Sequence, residues 1–231
     1  MNSFFTRAMV VFISLCIFTP YPSFAVGGIS IQGTRLIYPK DKTQISISVD
    51  NSSNIDSFLV QSWVEDTNGN KTDDFIVTPP LYLSKPGDEN SLHLIKVSDR
   101  GEAKQESLYY FVSKAIPSIK QGDSDKNLIR IATATRIKMF LRPTFLNDRP
   151  EDLASRLKFS HVDNQVKISN PTPYYVTLTK MTINHTPLKG VMVAPGSSTF
   201  ISVPLVTSKN IFSFRTINDF GVLTAPVSVS F

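Results

Sequence analysis

The sequence predicts an all-β fold built as two β-sandwiches in tandem, and three observations predict it. Apolar and polar residues alternate in several runs, the longest being NLIRIATATRIKMFLRP at 127–143. Turn-forming Gly, Pro and Asn recur at short intervals, and long helical periodicity is absent. The stretch PTFLNDRPED at 143–152, with two prolines and a charge cluster, interrupts the pattern and reads as a linker between domains at 26–144 and 150–231.

The first 25 of the 231 residues read as a secretory signal peptide. They hold one cation, Arg7, then the apolar run Ala8 to Phe18, and close on Ser23-Phe24-Ala25. The run is too short for a membrane span, which needs about 20 residues, and Pro20 and Pro22 break it. Cleavage after Ala25 and a soluble exported protein, with no membrane insertion, are expected. The single cysteine, Cys16, lies in this leader, so the mature chain has no disulfide, no thiol nucleophile and no cysteine metal site. Loss of Arg7 takes the 24 cations to 23, against 19 acids. That mild excess lacks the dense basic cluster expected of a nucleic-acid binder.

Strand signals then follow in order. TQISISVDNSS at 43–53 alternates Ile45, Ile47 and Val49 with polar residues. Residues 57–83 read as strand, hairpin and strand, with Asn68-Gly69 at the turn. SLHLIKV (91–97), ESLYYFVSKAIPS (106–118) and the long run at 127–143 complete the first half. The long run predicts a strand about twice the usual length. It has one row of Ile129, Ile131, Thr133, Thr135, Ile137, Met139 and Leu141, and an opposite row with four cations. In the second half QVKISN, YYVTLTKMTIN, TFISVPL, NIFSFRTIND and LTAPVSVSF read as short strands between turns.

Catalytic patterns are missing. His93, His161 and His185 are isolated, and no nucleophile elbow or phosphate loop is present. EDTNGNKTDD at 65–74 has its glycine at the wrong place for a calcium loop and reads as a hairpin. No active-site pattern is legible, so no enzyme, cofactor or metal is expected, while a site assembled from distant residues stays open.

Seven words in order, GTRLIYP (33–39), QSWVED (61–66), FIVTPPL (75–81), ESLYYFVSKAIPS (106–118), RIKMFLRP (136–143), NPTPYYVTL (170–178) and INDFG (217–221), closely resemble the periplasmic pilus chaperones of the PapD-like family. The resemblance implies two immunoglobulin-like domains set at an angle around a cleft. It implies a periplasmic protein that binds pilus (fimbrial) subunits, caps them by donating a β-strand, and delivers them to an outer-membrane usher. The donated residues are then Ile129, Ile131 and Thr133. Each buried Ile contributes about 1.5–3 kcal/mol before ordering costs. The family's anchor for the subunit's C-terminal carboxylate falls on Arg35 and Lys138, and its inter-domain salt bridge on Glu106, Arg142 and Asp219. Composition alone gives a blander reading, since edge strands carry Lys and Arg to discourage pairing. The sequence departs from the family at Val112 and Ser113. The short loop before the long strand and the cysteine-free mature chain fit the short-loop branch. A structural fimbrial subunit or adhesin is the alternative. It would carry a disulfide in its first half and a donor extension at the mature N-terminus, and neither is visible. Self-association that caps the strand in the free protein stays open.

Overall fold

A computed structural model describes residues 27–98, 104–118, 129–146, 149–162, 164–203 and 210–230. The expected signal peptide lies outside them, as do Asn127 and Leu128 of the long alternating run.

The first half contains β1 (Ile29–Ile31), β2 (Arg35–Pro39), β3 (Gln44–Asn51), β4 (Phe58–Glu65), β5 (Phe75–Thr78), β6 (Leu81–Ser84), β7 (Glu89–Lys96), β8 (Ser107–Pro117) and β9 (Thr133–Arg142). They form one sheet in the order β1-β3-β7-β5 and a second in the order β2-β9-β8-β4-β6. Alternation buries one row from each sheet, so Val49, Leu92 and Leu94 meet Val60, Phe111 and Met139 in one core. Tyr38 spans the sandwich. Its hydroxyl donates to the Thr43 carbonyl at 2.9 Å and accepts from the Lys96 amide at 3.1 Å. Burial pushes that phenol above its ordinary pKa, and the Lys96 bond offsets part of the effect.

The second half contains α1 (Leu153–Arg156), β10 (Lys158–Val162), β11 (Gln165–Ser169), β12 (Val176–Ile183), β13 (Thr186–Leu188), β14 (Val191–Val193), β15 (Ser198–Ser202), β16 (Ile211–Thr216) and β17 (Val227–Ser230). One sheet runs β10-β11-β15; the other runs β13-β12-β16-β17, with β14 also on β12. Their inner rows, including Ile168, Leu178, Phe212 and Phe214, make a separate core. A buried asparagine organises a turn in each half. Asn51 Nδ2 donates to the carbonyls of Asp56 and Lys85 at 2.9 and 2.8 Å, and Asn170 Nδ2 donates to those of Tyr174 and Val193 at 2.7 and 3.1 Å. Both bind carbonyls of turns and strand ends that lie close together in space.

Two expectations are corrected. Residues 57–83 are not one hairpin: β4 pairs with β8 and β6, while β5 pairs with β7 in the other sheet. The tight turn is real but local. Gly69 has φ +85°, the Asp66 carboxylate accepts the amides of Asn68 and Asn70, and pairing ends at the Glu65–Lys71 bridge. The next residues cross to the opposite sheet, where Phe75 fills the core between the rings of Tyr38 and Tyr109. The long strand also starts later than the alternation predicts, at Thr133. Its partner β8 ends at Pro117, and extending the pairing of Ala115 with Thr133 would set Ile131 against that proline, which has no amide to donate. The segment 143–152, expected as a linker, also packs: Leu146, its fourth residue, is buried with Leu153 and Tyr174, and the Tyr174 hydroxyl donates to the Leu146 carbonyl at 3.1 Å.

Candidate functional site

The site is built around β9. Its first half, Thr133–Ile137, pairs with β8 on one edge and has no strand on the other among the described residues. Its second half lies between β8 and β2, which joins in parallel from Arg35↔Lys138 to Pro39↔Arg142. Ile129 and Ile131, just before β9, are 92% and 72% exposed, and Thr133 is exposed as well. Ile137 and Met139, on the same row, are buried in the first core. One alternating row therefore serves two environments.

The parallel register sets Arg35 beside Lys138. Arg35 is buried. One terminal nitrogen donates to the Ile217 carbonyl at 3.3 Å, its guanidinium lies 5.8 Å from the centre of the Phe140 ring, and its Nε has no hydrogen-bond partner among the described residues. Burial, and then the charge of Arg149, pull its pKa below the ordinary arginine value. Lys138 is half-buried and has no ion pair or hydrogen bond among the described residues. Burial, then the Arg35 charge, lower its pKa as well. Asp219 and Glu106 offset the Arg35 shift in part, yet neither cation has an ion pair among the described residues, and two adjacent cations partly withdrawn from water suit a carboxylate.

Four residues further along, Arg142 is differently placed. Its Nε donates to Glu106 Oε1 at 2.8 Å, and its terminal nitrogens reach both Asp219 oxygens, at 2.5 and 2.9 Å. Glu106 and Arg142 are 3% and 2% exposed. The second Glu106 oxygen accepts the Tyr175 amide at 2.7 Å, so each oxygen of this carboxylate has a partner, one from each half of the chain. Burial pushes the Glu106 carboxyl above its ordinary pKa, only partly offset by Arg142. At Asp219 burial acts the same way, but bonds from Arg142 and Arg149 outweigh it and hold that carboxyl low.

Local sequence places Asp219. Asn218 Oδ1 accepts the amides of Phe220 and Val222 at 3.1 and 2.9 Å, folding INDFG into a tight turn. Gly221, at φ +80°, closes it, and a Cβ there would lie 2.3 Å from Thr34 Oγ1, beside Arg35. Glycine is thus required where the second half meets the first strand of the site.

The structure brings Arg35 and Lys138 together, and Glu106, Arg142 and Asp219 together; Ile129, Ile131 and Thr133 lie upstream on the open side of β9. Sequence reading missed Arg149, whose guanidinium bonds Asp219 at 2.6 Å. It also missed the rings around the cations: Phe140 lies 5.5 Å from Tyr175, and Arg142 lies 5.5 Å from the centre of Tyr174. Their signal was present in the doublet Tyr174-Tyr175 and in the charge cluster at 147–152. A hollow of about 650 Å³ lined by Asp66, Asp74, Glu106, Tyr109 and Tyr175 includes neither Arg35 nor Lys138. An open strand edge does not need an enclosed pocket.

An open strand edge that runs into two cations without an ion pair among the described residues can take up an extended segment that ends in a carboxylate. Residues 28–147 match the pili and flagellar-assembly chaperone, PapD N-terminal domain, and residues 152–227 match the pili assembly chaperone PapD C-terminal domain, so the chain belongs to this family of pilus-assembly chaperones. It is 38% identical over 201 residues to the probable fimbrial chaperone SfmC of Escherichia coli strain K12, covering 87% of each chain. Among solved structures it resembles the periplasmic chaperone SfaE, at 33% identity and TM-score 0.73 over 87% of this chain and 98% of that one. A second likeness is to the Salmonella enterica SafA pilin in complex with the SafB chaperone, at 26% identity and TM-score 0.79 over 90% and 99%.

Proposed function

We propose that this pilus-assembly chaperone grips a fimbrial subunit at both ends of β9. The supporting observation is geometric: the unpaired edge at Thr133–Ile137 runs directly into Lys138 and Arg35, two partly buried cations with no ion pair among the described residues. A subunit strand laid along that edge gains backbone hydrogen bonds. Ile129, Ile131 and Thr133 fill its groove. The terminal carboxylate of the subunit takes the ammonium of Lys138 and the guanidinium of Arg35, and fixes the register. The SafB–SafA complex, a relative holding a pilin, favours the same partner here.

The wider account follows the family. Residues 1–25 direct export and are removed, and the domains at 26–144 and 150–231 act in the periplasm. The Glu106–Arg142–Asp219 network, with Arg149, holds the two domains at a working angle. The loaded chaperone passes its subunit to an outer-membrane usher, and the reaction requires no cofactor and no catalysis by this chain.

Periplasmic co-expression with candidate pilins tests this reading. Wild type should co-purify with its subunit, while Arg35→Ala, Lys138→Ala and the pair Ile129→Asp with Ile131→Asp should not. Undiminished capture by Arg35→Ala and Lys138→Ala would refute the anchor, and undiminished capture by the Ile pair would refute strand donation.

A further inference from the structure

Lys138 is a half-buried cation on a sheet face that also carries a carboxylate within reach, yet it stays unpaired. The carboxylate is Glu65. Strand pairing aligns Glu65 with Tyr110 and Tyr110 with Lys138, which puts the three on one face across β4, β8 and β9. Residues two strands apart are separated by about 10 Å. The four-carbon stem of Lys138 and the shorter stem of Glu65 can close that gap.

Glu65 is occupied instead by its other neighbours. Oε2 accepts from Arg136 Nε at 2.8 Å, and Oε1 accepts from Trp63 Nε1 at 2.9 Å. Arg136 lies 3.4 Å from the centre of the Tyr110 ring, the residue that stands between Glu65 and Lys138. The guanidinium thus blocks the path and neutralises the acid at once. The Glu65 side chain is 15% exposed and that of Arg136 40%, so water screens the pair only in part.

We propose that Arg136 is a positioning residue that sequesters Glu65 and so keeps Lys138 free for the carboxylate of the subunit. This rests on Lys138 being the anchor. Without Arg136, Glu65 can swing over Tyr110 and pair with Lys138, and it then competes with the incoming terminus. Arg136 acts through Glu65, so removing both should restore what removing Arg136 alone destroys.

The test uses Arg136→Gln, Glu65→Gln and the double variant in the full chain, with two readouts. The first is the pH titration of Lys138 by NMR of its 13Cε signal without any partner, with Arg35, Glu65 and Arg136 as the nearby charges on its own and neighbouring strands. In Arg136→Gln its midpoint should rise by about half a pH unit, as an ion pair of this exposure allows, and in the double variant it should return. The second is recovery of the pilin that wild type captures on co-expression. Arg136→Gln should recover it about three- to tenfold less well, and the double variant should match wild type. Arg136→Lys, which keeps a cation against Glu65 and disturbs the fold least, should behave as wild type in both.

An unchanged Lys138 titration in Arg136→Gln overturns the proposal. So does a capture defect that Glu65→Gln fails to rescue, which would make Arg136 a direct contact or a purely structural residue. If Lys138→Ala captures pilin normally, the anchor itself is wrong and the proposal falls with it. If Lys138→Ala fails to capture but Arg136→Gln succeeds, only the sequestering role is wrong.

Discussion

Thr133–Ile137 and Lys138–Arg142 belong to one strand, share β8 as a neighbour, and continue one alternation of side chains. They differ in what lies on the other edge. The first half has an open edge and exposed side chains up to Arg136; the second has β2, a buried row, and a cation locked between two acids. The difference teaches that alternation sets which face a residue takes and leaves open who will cover it. A strand that is half finished is a liability in most proteins. On the proposed function it is the working part, continuous with a half that is already paired on both edges.

The comparison can be broken most severely at the finished end. Arg142→Ala leaves Glu106 buried without its partner, and should cost about 3–5 kcal/mol in urea or thermal unfolding, with loss of the fixed domain arrangement. A loss below about 1 kcal/mol would show that the network is dispensable. At the open end, Ile129→Asp with Ile131→Asp should leave unfolding within about 0.5 kcal/mol of wild type, because both residues are already in water, and should abolish capture of the subunit. A large stability loss there would mean that the residues serve the protein's own core.

At the junction, Arg35→Ala and Lys138→Ala should each lose capture while unfolding as late as wild type or slightly later. Both cations are partly desolvated and face one another, so the folded state carries a cost that the Arg35 bond to the Ile217 carbonyl and its contact with Phe140 offset only in part in the absence of a partner. Clear destabilisation by either change would contradict that reading. The smallest effect concerns acid. The folded pKa of Asp219 lies below its ordinary value of 3.8, so its contribution is present above that value and is lost as pH falls through the lower folded value. Wild type should lose part of its stability over that window, measured by urea unfolding at a series of pH values. Asp219→Asn should lack this acid-sensitive part.

Much of this arrangement was legible in the sequence. Period-2 runs identify Val49, Val60 and Met139 as inward residues, because a buried face leaves its mark on every second position. Arg35 and Lys138 become visible together only through the words around them, since 103 positions separate them and the parallel pairing that joins them has no local signature. The start of β9 was misread for a physical reason. Alternation continues through Ile129, but Pro117 removes the donor that would extend the ladder. The crossover after Gly69 was hidden because a tight turn looks the same whether the chain returns to its own sheet or leaves it. Arg149 was missed because an ion pair 70 positions away has no sequence spacing to betray it.

Amide hydrogen exchange along β9, in the free protein and in its complex with a captured pilin, tests the central claim most directly. The account predicts that the amides of 129–137 facing the open edge exchange quickly in the free protein and become strongly protected in the complex. Those of 138–142, already between β2 and β8, should be slow in both states. Complex formation with no protection gained at 129–137, or protection gained only in the second half of the chain, would contradict it.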